Sequence, residues 1–547
     1  MKSRILASGI AALAFTAIAP AAQAGVSEDF AGCDGLKKPK RKDDGMRGQA
    51  TEPARSFFGG KSTRNAEMTL ASCDRALQSD KLLPEQTLRR AHLLRARAVA
   101  KLSLDDQTGA LVDLDAAENA IASYRGERLF DRSMGVSLDL LRAIAFAETG
   151  RRDQALVLAE KAATLRPYAV EVQRAATLLR GDLRDDTLAK KDLWARFVQL
   201  DPGSRDMVAR IEVKGGDWAR IVELDDGELP TFAAPAFADN PLALDKNAVM
   251  QWLTGFQDAM HRAYAHAALG HSEHARAIVR TTEAAVAALA IPEQGAKPAA
   301  TALLAPLLTS KIVAPMAAHV EARIAINEGR IEDARALMAG KEMSGSTGAD
   351  LQAALGDEPA TSPNAATLTR IAVTDEGESE NALGINYGVL AKTLLIKPDT
   401  AADMIAYRQS RSNAVGSAVG KFLFGGARGN GTDRTYGFQS NANADGTVTV
   451  EYMGDTTSGP VVQEMTLLRA AELAQEAGHG RLALTAREDY QRYLTRSQYG
   501  IEQDRTLMGY KTVLTVRFVG AEEKDAFALD AAEIIDALGP IYYDSGA

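Results

Sequence analysis

The chain has 547 residues, of which 46% are hydrophobic and 25% charged, and its formal net charge is −9. An acidic surface repels phosphate backbones, which argues against nucleic acid as a partner. At this density of charge, carboxylate pairs arise by chance, so no catalytic pair is marked out.

Lys2 and Arg4 form a short basic region, Ile5 to Ile18 is nearly all apolar, and Pro20 breaks the run. Ala22-Gln23-Ala24 then places small residues where a signal peptidase reads. The pattern is that of a cleaved secretory signal peptide over residues 1–24 and predicts a periplasmic protein of a Gram-negative-type envelope. Its loss leaves 61 basic against 72 acidic residues, a charge of −11. The apolar stretch is shorter than the roughly 20 residues a membrane span needs. The most apolar later run, Ala299 to Val320, holds Pro306, Lys311, Pro315 and His319, so it reads as buried helix. Phe30-Ala31-Gly32-Cys33 has the form of a lipidation box, but Ser27, Glu28 and Asp29 part it from the apolar run it should abut, so lipidation is not expected. Cys33 and Cys73 are the only cysteines. In an oxidising compartment such a pair is a disulfide candidate, contributing about 3–4 kcal/mol in the chain-entropy account. Residues 25–64 read as a polar N-terminal segment, loop or loosely docked tail. Its basic run from Lys37 to Lys42 is answered by Asp43 and Asp44 and reads as solvated, with membrane-surface contact not favoured.

From about Asn65 to Lys341, alanine, leucine and arginine recur at helical spacing. One phrase occurs three times: Gly150 with Ala155, Gly270 with Ala275, and Gly329 with Ala334, each glycine five residues before its alanine. Glycine takes the left-handed dihedral that ends one helix, and alanine leaves room for the next helix to fold back. Ala143, Phe146, Gly150, Ala155, Ala162 and Pro167 sit at the spacing of a tetratricopeptide repeat, a resemblance that implies packing roles for them. Leu200-Asp201-Pro202 follows Leu165-Arg166-Pro167 by 35 residues. These spacings resemble tetratricopeptide repeats, whose period is about 34 residues. The resemblance implies a helical-repeat solenoid over residues 65–341 with a groove for a protein or peptide partner, and it degenerates between Gly215 and Asn247. Residues pointing away from the packing positions of each first helix, Glu148, Tyr264, Arg323 and Asn327, are the candidate partner-binding positions. Trp194, Trp218 and Trp252 read as core.

Residues 342–366 have linker composition, with a helical turn foreseen at Leu351 to Leu355. A small α/β domain is expected over residues 367–547. Val448, Val450 and Tyr452 alternate as on a half-buried strand, Val461 to Gly478 is an amphipathic helix, Arg481 to Thr485 and Thr512 to Val519 read as strands, and Ala526 to Leu538 as a helix. Tyr436-Gly437-Phe438, Gly454-Asp455-Thr456-Thr457 and Leu468-Arg469-Ala470-Ala471-Glu472-Leu473 resemble a group of small bacterial envelope lipoproteins of unassigned function. That likeness implies compartment and fold and no activity. Glu472 is expected to pair with Arg469.

Four of the seven histidines cluster, at His261, His266, His271 and His274. His261 and His266 lie about 140° apart on a helix, and His271 and His274 lack a third ligand nearby, so no metal site is expected. Gly416 to Lys421 is one residue short of a phosphate loop and lacks the following Ser or Thr. No cofactor and no catalytic residue is read from the chain. The expectation is a non-enzymatic envelope scaffold, with an envelope hydrolase or ligand-binding protein, its site in the C-terminal domain, as the alternative.

Overall fold

The computed structural model describes residues 25–41, 46, 50–53, 65–183, 194–225, 227–233, 246–289, 304–341, 343, 345–356, 386–400, 437–455, 458–498 and 501–543. The expected signal segment 1–24, residues 357–366 of the expected linker and the glycine cluster from Gly416 to Gly431 lie outside them. The chain is mostly helical, with a small antiparallel sheet near the C-terminus.

The helices are α1 (Val26–Asp34), α2 (Ala66–Gln78), α3 (Thr87–Leu102), α4 (Gln107–Ala120), α5 (Val136–Glu148), α6 (Arg152–Leu165), α7 (Val170–Leu183), α8 (Ala195–Leu200), α9 (Arg205–Gly215) and α10 (Trp218–Leu224). There follow α11 (Lys246–Ala268), α12 (Ser272–Leu289), α13 (Ala314–Asn327), α14 (Ile331–Met338), α15 (Gly345–Ala354), α16 (Tyr387–Thr393), α17 (Gly459–Glu476) and α18 (Ala531–Tyr542). Side chains at their starts hold several of them. Asn65, Asp106, Asp217, Asn386 and Asp530 each accept a hydrogen bond from the backbone N–H three residues on, satisfying donors that the helix leaves open.

The three repeated phrases are three bends of one geometry. Gly150, Gly270 and Gly329 have φ of +72°, +83° and +76°. The residue after each glycine donates its N–H five residues back, Arg151 to Phe146, His271 to His266 and Arg330 to Ala325, all at 2.8 Å. The glycine itself donates three residues back, to Ala147, Ala267 and Ile326. This pair of bonds closes the helix C-terminus in a left-handed cap. Ala155, Ala275 and Ala334 are fully buried at the start of the returning helices, and Ala143 in the first helix and Ala162 late in the second are fully buried too. The hairpins α5/α6, α11/α12 and α13/α14 result.

The sheet runs β2 (Gly437–Ala442), β3 (Val448–Asp455), β5 (Ile501–Val519), β4 (Arg481–Gln498) and β6 (Ala528–Asp530) in that spatial order, all antiparallel, and β1 (Ala50–Pro53) pairs with β5 beside β3. β4 and β5 reach far beyond the short strands read at 481–485 and 512–519. Arg469 donates to Glu472 at 2.8 Å, the pairing expected on α17. Within the expected N-terminal segment, residues 26–34 form a docked helix rather than a loose tail. In α1, Phe30 is fully buried, Cys33 is disulfide-bonded to Cys73, and the buried Asp34 carboxylate meets Arg89 at 2.9 Å. Because the Cys33 sulfur is in that bond and Ala31 and Gly32 are buried, the lipidation-box look-alike is helix interior.

The hydrophobic interior does not follow the chain. One core joins α3 to α8, Val208 and Leu224 with α16, the sheet, α17 and α18. A second is built from α10 to α15, with Trp218, Trp252, Phe256 and Leu351 buried. α10 belongs to both, giving Leu224 to the first and Trp218 and Ile221 to the second.

At the centre of the first core, two arginines from the helices meet two acids from beyond residue 385. Arg166 reaches Glu464 Oε1 at 3.0 Å and Oε2 at 3.1 Å, and Asp399 at 3.2 Å. Arg132 bridges Glu464 and Asp399, and Tyr542 donates to Glu464 at 2.7 Å. All four charged side chains are almost wholly excluded from solvent. Burial pulls the Glu464 carboxyl upward, but Arg132 and Arg166 outweigh it and hold the group ionised, below its ordinary range. Asp399 is raised, because burial there exceeds what the arginines offset. Two cations balance two anions, so removing one leaves a buried charge unmatched. Glu464→Gln is expected to cost about 3–5 kcal/mol, read from denaturant unfolding; a loss below 1 kcal/mol would contradict this account. Gly270→Ala tests the bends. Nothing lies within 4 Å of a Cβ there, so the expected loss of about 1–2 kcal/mol is backbone strain alone, measured by the same unfolding.

Candidate functional site

The four positions read as partner-facing are engaged within the fold. Tyr264 is fully buried, donates to Asp350 Oδ2 at 2.7 Å and to the Thr347 carbonyl at 3.1 Å, and meets Trp218 edge-on at 4.9 Å. Its hydroxyl is therefore a core fastener, which corrects the expectation of a partner contact. Arg323 pairs with Asp350 at 3.4 Å, and Asn327 donates to the Ala267 carbonyl at 2.6 Å, tying one hairpin bend to the next. Glu148 is part-buried, accepts from Gln107 at 3.3 Å, and is raised by its burial. The reason is common to α11 and α13: their faces away from the bend pack against further helices rather than line a free surface.

The histidines sort differently from the sequence reading. His266 on α11 and His274 on α12 converge on Asp225, the residue that ends α10. His266 Nε2 lies 2.7 Å from Asp225 Oδ2, and His274 Nε2 lies 3.7 Å from the same oxygen. The other carboxylate oxygen, Oδ1, is held by Arg262 at 3.1 Å and by the Gly227 N–H at 3.3 Å. His266 Nδ1 faces His271 Nδ1 at 3.2 Å. His274 Nε2 is buried and has no hydrogen-bond partner. Burial raises the Asp225 carboxyl, but His266 and Arg262 outweigh it, so it stays ionised. The acidic partner that the local sequence lacked comes from 41 residues upstream of His266. The signal that could have pointed to it is Asp225 itself, an acid closing the short helix α10.

Asp225 and Arg262 also line a cleft of about 390 Å³ between α9, α10, α11 and β4. Arg205, Asp206, Thr485 and Arg487 complete its polar wall. Arg205 lies flat on the Phe527 ring at 3.8 Å, and Arg487 donates to the Leu200 carbonyl at 3.1 Å. On the rim of the same helices, Asp258 is pushed up to about 6 by burial that Arg210 does not offset.

Beyond the cleft, β4 has an outer edge. On that side β6 pairs only with Arg481, Leu482 and Ala483. From Ala486 to Leu494 the edge has no strand partner among the described residues, and it exposes Tyr490 at 46% and Leu494 at 59%. Compared with known protein families and with characterised proteins, the chain finds no match.

His261 stands apart from the other three. Its Nδ1 has no hydrogen-bond partner, and burial, with His319 adding to it, lowers its pKa from 6.5 to about 4. Between those values the unfolded chain binds a proton that the folded chain does not, so stability falls as pH drops from 6.5 to about 4. Buried His92 is lowered for the same leading reason and acts in the same direction. The urea midpoint is expected to decline across this window, and less steeply in His261→Asn. Equal slopes in the two proteins would exclude His261 as a source.

Proposed function

We propose that this protein is a non-enzymatic scaffold of the bacterial periplasm, secreted through a cleaved signal peptide, whose tetratricopeptide-like hairpins and C-terminal sheet take a protein or peptide partner. The carrying observation is the outer edge of β4. A strand edge carries backbone donors and acceptors in register, and an extended peptide adds to it as a further strand, with flanking side chains setting specificity. Tyr490 and Leu494 supply apolar contacts along it, and the exposed Glu488 and Asp489 supply negative charge. The hairpin bends fit the same reading, since helical hairpins are packing devices rather than carriers of reactive groups. The Cys33–Cys73 disulfide suits an oxidising compartment. No helix among the described residues is long and apolar enough to cross a membrane.

The test is site-specific photocrosslinking in the periplasm. A crosslinker at Gln491 is expected to trap one protein at near-equal stoichiometry, identified by mass spectrometry. Tyr490→Lys with Leu494→Lys is expected to cut its recovery at least about tenfold, as for loss of an interface anchor. Both side chains are exposed, so the fold is retained. Recovery unchanged in the double variant, or no protein trapped at the edge, would move the weight to a ligand-binding role for the cleft.

A further inference from the structure

We propose that Asp225, His266 and His274 form a binding site for a divalent transition-metal ion of the zinc class. One ligand atom from each residue lies within 4.8 Å of the others. Four-coordinate zinc at about 2.1 Å sets neighbouring ligand atoms about 3.4 Å apart, so the site closes on an ion by small side-chain rotations. Two imidazoles and one carboxylate make a mixed nitrogen and oxygen set of borderline softness, which suits zinc and its neighbours better than magnesium or calcium.

Three further features separate this cluster from a histidine merely hydrogen-bonded to an acid. His274 Nε2 is a buried nitrogen with no hydrogen-bond partner, 3.7 Å from the oxygen that His266 already engages. An ion placed among the three gives that nitrogen a bond. The remaining atoms have outer partners of the kind that orient metal ligands. Arg262 and the Gly227 N–H hold Asp225 Oδ1, leaving Oδ2 to face the histidines, and His271 Nδ1 faces His266 Nδ1. The three ligands also come from three elements, α10, α11 and α12. With three protein ligands, a fourth position is left for water. The ion acts as a clasp: it fixes α10, which contributes to both cores, onto the hairpin of the second core.

The experiment uses the untagged mature chain, stripped with chelator and titrated with Zn²⁺ and with Co²⁺. The wild-type protein is expected to bind one equivalent of each, to show the visible absorption of four-coordinate Co²⁺, and to gain thermal stability that rises with the logarithm of free Zn²⁺ above its Kd. His274 is partly exposed at its rim, so His274→Ala and the milder His274→Gln both keep the fold, checked by circular dichroism. Each is expected to weaken Zn²⁺ binding by more than the roughly 10–100-fold that loss of an outer partner costs, and to abolish the Co²⁺ band. Asp225→Asn is expected to do the same. His479→Ala, on the turn after α17, is expected to leave affinity unchanged. Less than one equivalent in the wild type, an octahedral Co²⁺ spectrum, or equal affinity in His274→Gln would overturn the assignment.

Discussion

The architecture depends on four charges that no solvent reaches. Arg132 and Arg166 belong to the helical half, and Asp399 and Glu464 to the segment after it. Each pair of ions is costly to bury, and attraction offsets that cost only where geometry is good and the leftover lone pairs are filled. Several are filled here: Arg166 also donates to the Arg132 carbonyl at 2.9 Å, Tyr542 donates to Glu464, and the Asp399 backbone N–H donates to the Ser133 hydroxyl, while Arg132 Nε meets Asp399 Oδ2 only as an ion pair at 3.2 Å. An apolar core tolerates small slips between helix and sheet. A closed ring of charge-assisted bonds does not, because any slip leaves a buried charge without its partner. The cluster therefore fixes α17 against α5 and α6 in one register, and α17 in turn carries β3, β4 and β5.

The second core is built differently. It is aromatic and aliphatic, with Trp252 edge-on to Phe256 and Phe256 stacked on Phe232 at 4.2 Å. It meets the first unit through α9 and α10, and there the polar cleft opens. Asp225 stands at that seam with one oxygen held by Arg262 and the other by His266, so polar geometry helps to fasten the junction.

How much of this was legible depends on distance along the chain. The bends were, because glycine and alanine five residues apart encode a turn without help from elsewhere. The strand at Val448 to Tyr452 was, because one face is buried and alternation survives. The length of β4 was hidden. From Thr485 onward both faces meet water, so charged residues follow one another and period two disappears. Helix α1 was hidden because Arg89 and Cys73, distant in sequence, bury its face. Tyr264 was misjudged because a repeat phrase identifies which side of a helix packs in its own hairpin, and nothing about the neighbour on the other side. Asp225 was invisible as a ligand for the same reason. Glu464 had a readable signature: an acid among Val461, Val462, Met465 and Leu468 on a helix buried nearly all round needs a buried cation.

The split core has a temporal consequence. Arg166 and Glu464 are separated by 298 residues, and the whole second unit lies between them. A chain emerging N-terminus first can close the Cys33–Cys73 loop and the α5/α6 hairpin from local contacts alone. Arg132 and Arg166 must then stay hydrated until the last quarter of the polypeptide arrives, and the loop to be closed is long, which slows the search. The helical half is thus an unfinished receptacle during biogenesis, its central socket wet and cationic, and maturation of the molecule is timed by the arrival of its own C-terminal end.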